Sequence, residues 1–130
     1  MAYTNTIYSA NIIGSVNMAP GETSFSSVLS GYNTVKIGVH VTAAVDRISN
    51  PLPSPPASPS FSGNVMIFPI GLNSIQSTFP AISKVVSFSG EICTTVVYFD
   101  IVAVANYRIA FQNANGFRLN TVVTLSEAKM

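Results

Sequence analysis

The chain has 130 residues, of which 48% are hydrophobic and only 8% are charged, and its formal net charge is +1. An ordinary soluble domain carries about 25% charged residues, so this surface is expected to be neutral and rich in hydroxyl groups, which favours association between copies. The basic residues are scattered singly, which excludes the basic stripe of a nucleic-acid-binding protein, and no apolar run approaches the ~20 residues of a membrane-spanning helix.

The N-terminal segment, residues 1–17, has the composition of a strand but lies ahead of a turn at 19–22. Two interpretations stay open: a first core strand, or a connector arm that adds to the sheet of a neighbouring subunit. The arm would contact its neighbour through its larger side chains: Tyr3, Ile7, Tyr8, Ile12 and Ile13. No basic start followed by an apolar stretch is present, so the segment shows no recognisable secretory signal.

Residues 18–130 carry the strand pattern of one folded domain. Apolar residues occupy every odd position from Val35 to Val45, which is typical of a strand with one buried face. The following stretch, 49–60, contains five of the eight prolines. Proline lacks the N–H that a strand ladder needs, so this stretch is predicted to be an exposed loop, either a stiff connector or a docking loop.

Later segments extend the strand pattern to the end of the chain. Residues 61–67, 83–88 and 117–125 are predicted strands, and 113–116 has the chemistry of a hairpin turn. Residues 92–99 and 101–111 are apolar at odd and even positions, which predicts strands covered on both faces. A neighbouring subunit is the simplest second cover, and it would contact Val96, Tyr98, Val102 and Val104.

These strands, with no convincing helix, predict an all-β fold: a single-domain β-sandwich or jelly roll of about eight strands, with an N-terminal extended arm as an option. The proposed division is 1–17 for the arm or first strand and 18–130 for the sandwich.

Catalytic chemistry has little support in the sequence. His40, the one histidine, lies on the polar face of its strand, and no Gly-x-Ser-x-Gly motif is present. The five carboxylates are far apart, and no cluster of metal ligands or Gly-rich phosphate loop occurs. We therefore expect a protein that is not an enzyme, with no catalytic residue, metal or cofactor.

Two single residues carry separate expectations. Asp100 follows an apolar run, so it either pairs with Arg108 or Arg118 when buried, or faces water at a strand end. Cys93 has no second cysteine in the chain, so it is expected to be a buried thiol or to cross-link two subunits.

Two stretches resemble the subunits of bacterial endospore appendage fibres: 30–32 (Ser-Gly-Tyr) before a Val-rich strand, and 85–90 leading into 96–102. The resemblance implies a small jelly roll with an N-terminal connector, stacked into fibres by sheet augmentation. Connectors of that family carry cross-linking cysteines, and residues 1–17 contain none. Phage and viral capsid, decoration and tail proteins have a similar general pattern.

The main predicted function is a structural, self-assembling subunit of an extracellular fibre, appendage or particle surface, on a spore or virion, whose partners are copies of itself. The alternative is a carbohydrate-binding or adhesion module, in which tyrosines with nearby Asn or Asp bind a glycan. A viral capsid or decoration protein is a further alternative.

Overall fold

The computed structural model describes residues 4–48, 60–71, 76, 80, 82–100 and 106–129, with side chains described from residue 12 to residue 128 within these ranges. The described residues form nine strands and no helix, which confirms the all-β prediction. In chain order the strands are β1 (Thr4–Met18), β2 (Thr23–Phe25), β3 (Leu29–Ser30), β4 (Thr34–Val45), β5 (Ser60–Ile70), β6 (Ile82–Ser89), β7 (Ile92–Asp100), β8 (Asn106–Asn113) and β9 (Leu119–Lys129).

The strands form two antiparallel sheets. The four-stranded sheet has the order β1-β9-β4-β7, and the five-stranded sheet has the order β2-β8-β5-β6 with β3 also paired to β8. The predicted β-sandwich is thereby confirmed, with nine described strands in place of about eight.

The core lies between the sheets and follows the alternation of the sequence. On β4 the side chains of Ile37, Val39 and Val41 are fully buried, and on β8 those of Tyr107 and Phe111 are too. All five belong to one cluster of buried residues. Burial of a side chain of this size stabilises the folded state by about 1.5–3 kcal/mol relative to leaving it exposed. The buried residues of β4 and β8 therefore supply much of the hydrophobic free energy of folding.

The N-terminal segment pairs inside the chain. Strand β1 runs antiparallel to β9 from Thr4 to Met18, with register shifts along the way. Ile13 and Met18 are buried in the core. Residues 4–18 are thus an edge strand of the four-stranded sheet, and the role of residues 1–17 as a connector arm stays a prediction.

The hairpin predicted at 113–116 is wrong. Strand β8 belongs to the five-stranded sheet and β9 to the four-stranded sheet, so the turn connects the two layers. The residue types at a turn predict that the chain changes direction, but they do not predict which sheet the next strand joins.

One copy of the chain does not bury β7 on both faces, and the cover by a neighbouring subunit stays a prediction. This strand lies at the edge of the four-stranded sheet, and only Phe99 among its residues is buried. Strand β8 is internal, and its outward-facing Ala110 is fully buried between Phe25 and Met66, its partners in the register. The second cover of β8 at this point therefore comes from within the chain.

Candidate ligand-binding pocket

Four serines form a polar patch on the outer face of the five-stranded sheet. In the β5–β6 ladder Ser60 lies opposite Ser89, and Ser62 lies opposite Ser87. We call these four residues the serine quartet. Their hydroxyls face outward because the alternating neighbours Phe61 and Phe88 face the core, where each is less than 5% exposed.

Aromatic packing beneath the quartet fixes the two strands that carry it. The rings of Phe61 and Phe88 are stacked, with centroids 5.0 Å apart and an interplanar angle of 12°. Phe88 also contacts Phe111 edge to face, at 6.2 Å. Aromatic pairs of this kind add about 0.5–1.5 kcal/mol beyond their buried area, so the outward serines stand on a rigid base.

Glycine allows this base to form at one position. A Cβ on Gly63 would collide with the Phe111 ring and would lie 2.8 Å from the backbone oxygen of Gln112. Only a residue without a side chain lets β5 approach β8 so closely next to the quartet.

Asn115 forms the wall of the pocket. Its Oδ1 accepts a hydrogen bond from the Ser62 backbone N–H at 3.0 Å, and its Nδ2 donates to the Ser62 carbonyl at 2.6 Å. The β5–β8 ladder begins one residue later, at Gly63 opposite Asn113. The Asn115 carboxamide thus takes the place of a peptide group beyond the end of β8. It gives the N–H and the carbonyl of Ser62 their hydrogen-bond partners.

Asn113 holds the loop that carries Asn115. This fully buried side chain donates from Nδ2 to the carbonyls of Met18 (3.1 Å) and Phe117 (2.9 Å). Its Oδ1 accepts from the backbone N–H of Asn115 at 3.1 Å. One buried carboxamide therefore joins the end of β1 to the loop between β8 and β9.

The resulting cavity has a volume of about 480 Å³ and is broadly open to solvent. It is lined by the serine quartet with Phe61, Phe88 and Asn115. None of these residues is charged. On the same face, Asn64 lies one outward position beyond Ser62 and donates from Nδ2 to the Gln112 Oε1 at 3.1 Å. Hydroxyl and carboxamide groups therefore continue past the cavity.

Contacts from the neighbouring sheet hold β6 in place at the pocket. The Thr95 hydroxyl on β7 donates to the Ser87 carbonyl at 2.9 Å. The turn from β6 to β7 contains Gly90 at a φ of 87°, a conformation that favours glycine. Strand β6 is therefore fixed on both sides even though it is the edge strand of its sheet.

Of the predicted sheet-contact residues, Val96 and Tyr98 are described, and they lie on the outer face of the four-stranded sheet. Tyr98 is 57% exposed and its ring lies beside Gly38, where a Cβ would come within 3.2 Å of it. The His40 Nε2 and the Ser126 Oγ are 3.2 Å apart on the same face. Val96 is half-buried, and Val102 and Val104 lie outside the described residues.

The predicted arm residues are not gathered in one described surface. Ile13 is buried and Ile12 is half-buried. Ile7 and Tyr8 lie in β1 with undescribed side chains, and Tyr3 lies outside the described residues. The proline-rich loop prediction also falls mostly on residues 49–59, which are outside them.

Asp100 and Cys93, the two residues with separate expectations, both lie on β7. Asp100 is the exposed last residue of β7, so it faces water at a strand end, with the Lys36 Nζ 4.0 Å away. Cys93 is half-buried and forms no disulfide within the chain, and a cross-link between two subunits stays a prediction. No tyrosine lines the pocket, so the expectation of a tyrosine-lined glycan site does not describe it. Sequence reasoning missed the serine quartet because alternating serines are ordinary on the solvent face of a strand.

The described residues hold neither a metal-binding cluster nor a membrane-spanning helix. They contain no group of three or more His, Cys, Asp or Glu side chains arranged to hold a metal ion. They also contain no helix that is long and apolar enough to cross a membrane.

No protein-family model matches the sequence, and no curated protein sequence matches it either. In three dimensions the chain is similar to a CBM4 carbohydrate-binding module, with a TM-score of 0.55 and 13% sequence identity over 96% of this chain and 77% of that one. It is also similar to part of a family GH115 4-O-methyl-α-glucuronidase with specificity for decorated arabinogalactans, with a TM-score of 0.56 and 6% identity. That match covers 94% of this chain but only 16% of the glucuronidase. At such identities the likeness shows a shared β-sandwich fold.

Proposed function

We propose that this chain is a carbohydrate-binding β-sandwich module, and that the pocket at the serine quartet is its binding site. The observation that carries the proposal is an open, uncharged cavity lined by four serines, two phenylalanines and an asparagine. The shared fold with a carbohydrate-binding module supports it, although a fold alone does not define a function.

The chemistry of the lining suits sugars. Each serine hydroxyl can donate one hydrogen bond and accept others, as each sugar hydroxyl can. The groups stand on strands whose inner side chains are packed in the core, so little ordering is needed on binding. The volume of about 480 Å³ lies within the range of about 300–1,000 Å³ that small-molecule sites occupy.

A glycan microarray followed by titration calorimetry tests the proposal. We expect the wild-type protein to bind at least one saccharide. The Ser87→Leu variant should bind it at least about tenfold more weakly, because loss of one hydrogen-bonding group and steric filling of a site cost 1.4 kcal/mol or more. Ser83→Leu is the matched control, since Ser83 lies on the same strand and the same face but does not line the cavity.

Two results would contradict the proposal. If no saccharide binds to the wild-type protein, the module is not a glycan receptor. If Ser87→Leu and Ser83→Leu bind the saccharide as tightly as the wild type does, the receptor site lies elsewhere on the molecule.

A self-assembling structural subunit is the second candidate function. Large apolar side chains on the edge strands favour it: Val85 on β6 is 70% exposed, and Ile92 and Tyr98 on β7 are 68% and 57% exposed. Contacts between copies would cover them. Electron microscopy and light scattering should then show fibres, rings or shells that Val85→Ser with Ile92→Ser prevents, whereas a monomer at high concentration would contradict this candidate. A location outside the cell or on a particle surface accompanies either function as a prediction.

A further inference from the structure

We infer that the pocket selects neutral saccharides over acidic ones, an inference that rests on its proposed role as a glycan site. The seven lining residues include no Asp, Glu, Lys, Arg or His. The segments outside the described residues (1–3, 49–59, 72–75, 77–79, 81, 101–105 and 130) contain none of these residue types either. The stretch that precedes Ser60 in the chain therefore brings no charged side chain to the site.

Charged residues next to the lining residues in sequence are engaged with other groups. Glu91, two residues after Ser89, accepts a hydrogen bond from the Arg47 Nε at 2.8 Å, and this ion pair has no net charge. Arg118, three residues after Asn115, donates from Nη1 to the Asn17 Oδ1 at 2.9 Å. The Arg118 guanidinium keeps its positive charge, but neither Glu91 nor Arg118 is among the residues that line the cavity.

An acidic sugar would lose free energy in such a site. A carboxylate or sulfate oxygen only accepts hydrogen bonds, and partial removal of an anion from water is costly unless a cation or several donors replace the water. Asn115 offers little compensation, because its Nδ2 already donates to the Ser62 and Asn113 oxygens. Neutral sugar hydroxyls instead exchange donors and acceptors with the serine hydroxyls.

The test compares one saccharide in two forms, by calorimetry on the whole chain. The neutral saccharide that binds most tightly on the microarray is the first form. The same saccharide with its primary hydroxyls oxidised to carboxylates is the second form. We expect the neutral form to bind at least about tenfold more tightly. Its dissociation constant should change by less than about twofold between about 20 mM and about 500 mM NaCl, because no charge pair contributes to binding.

A charge placed in the pocket should reverse this preference. Ser89→Lys adds a cation to the lining, and it should raise the affinity for the oxidised form by about tenfold relative to the wild type. Ser83→Lys is the control with the same added charge outside the cavity, and it should change that affinity by less than about twofold because exposed charges are screened by salt.

Each outcome separates this inference from the proposed function. Tighter binding of the oxidised form by the wild type, lost in Ser87→Leu, would overturn the preference for neutral ligands and leave the glycan site standing. An equal response of Ser89→Lys and Ser83→Lys would also overturn it. Failure of every saccharide to bind would overturn both.

Discussion

Two asparagines at the end of β8 show how much of this site depends on single side chains. Asn115 pairs with the backbone of Ser62 and forms a wall of the pocket. Asn113 is fully buried and bonds to backbone groups of both neighbouring segments. In sequence both residues resemble ordinary turn residues, because turn propensity does not distinguish an exposed carboxamide from a buried one.

Replacing Asn113 should therefore destabilise the whole domain. Asn113→Ala leaves the carbonyls of Met18 and Phe117 without their donor, and we expect the free energy of unfolding to fall by about 2–3 kcal/mol. Urea denaturation measures the change. Asn106→Ala, at the exposed start of the same strand, is the control and should stay within about 0.5 kcal/mol of wild type. Equal effects of the two changes would contradict the assigned role of Asn113.

Tyr107 is a second residue whose surroundings matter, because they shift the pKa of its side chain. Its side chain is fully buried, and its hydroxyl has no hydrogen-bond partner among the described residues. Burial raises the pKa of Tyr107 well above its ordinary value of 10.0, and the negative charge of Glu127 raises it further. The folded protein therefore keeps this proton at pH values where the unfolded chain loses it.

It follows that alkaline pH should lower stability. Above a pH of about 10 the unfolded chain releases the tyrosine proton and the folded chain does not, so the free energy of unfolding falls by up to about 1.4 kcal/mol per pH unit from this group. Tyr107→Phe should make the decline shallower, and at neutral pH it should be neutral or slightly stabilising. Tyr32→Phe, at a 75% exposed position, is the control. Urea denaturation at several pH values up to about 11 measures both, and identical pH profiles for Tyr107→Phe and wild type would contradict the argument.

At the scale of elements, alternation in the sequence predicts strands well but not their neighbours. The period of two from Val35 to Val45 gives β4 and its buried face, and the structure confirms it. The position of β7 at a sheet edge and the passage from β8 to β9 between layers depend on contacts between residues far apart in the chain. No local pattern encodes such contacts, so neither the edge nor the pocket wall could be predicted.

Side-chain contacts join the edge strands β6 and β7 of the two sheets. The Lys84 Nζ on β6 donates to the Tyr98 carbonyl at 2.6 Å and lies 4.9 Å from the centroid of the Phe99 ring. The Thr95 hydroxyl on β7 donates in turn to the Ser87 carbonyl on β6. One carbonyl on each of these two edge strands thus accepts a hydrogen bond from the other strand. Charged side chains on edge strands commonly oppose the addition of further strands.

Lys84→Ala should accordingly weaken the fold and promote self-association. We expect the free energy of unfolding to fall by about 1 kcal/mol, from a lost hydrogen bond and a lost cation–π contact. Lys36→Ala is the control: its ion pair with Asp100 is long and exposed, so its loss should cost less than about 0.5 kcal/mol. Denaturation and light scattering measure the two effects. A Lys84→Ala protein as stable and as monomeric as wild type would contradict this role of the side chain.

At the scale of the whole molecule, the serine quartet and Tyr98 lie on different outer faces, whereas the exposed Val85 shares the face of the quartet. The serine quartet lies on the outer face of the five-stranded sheet, and Tyr98 and His40 lie on the outer face of the four-stranded sheet. A sandwich of this kind can carry a binding site or a contact between copies without a change of fold. The low fraction of charged residues, which favours association between copies, is equally suited to binding a neutral ligand.

A titration of the uniformly ¹⁵N-labelled protein with the best-binding saccharide, followed by amide chemical shifts, tests the central claim most directly. We expect small shift changes at Tyr98 and His40 and the largest changes at the residues of the pocket: Ser60, Ser62, Ser87, Ser89 and Asn115. Shift changes concentrated at Tyr98 and His40, or no change anywhere at saturating saccharide, would contradict it.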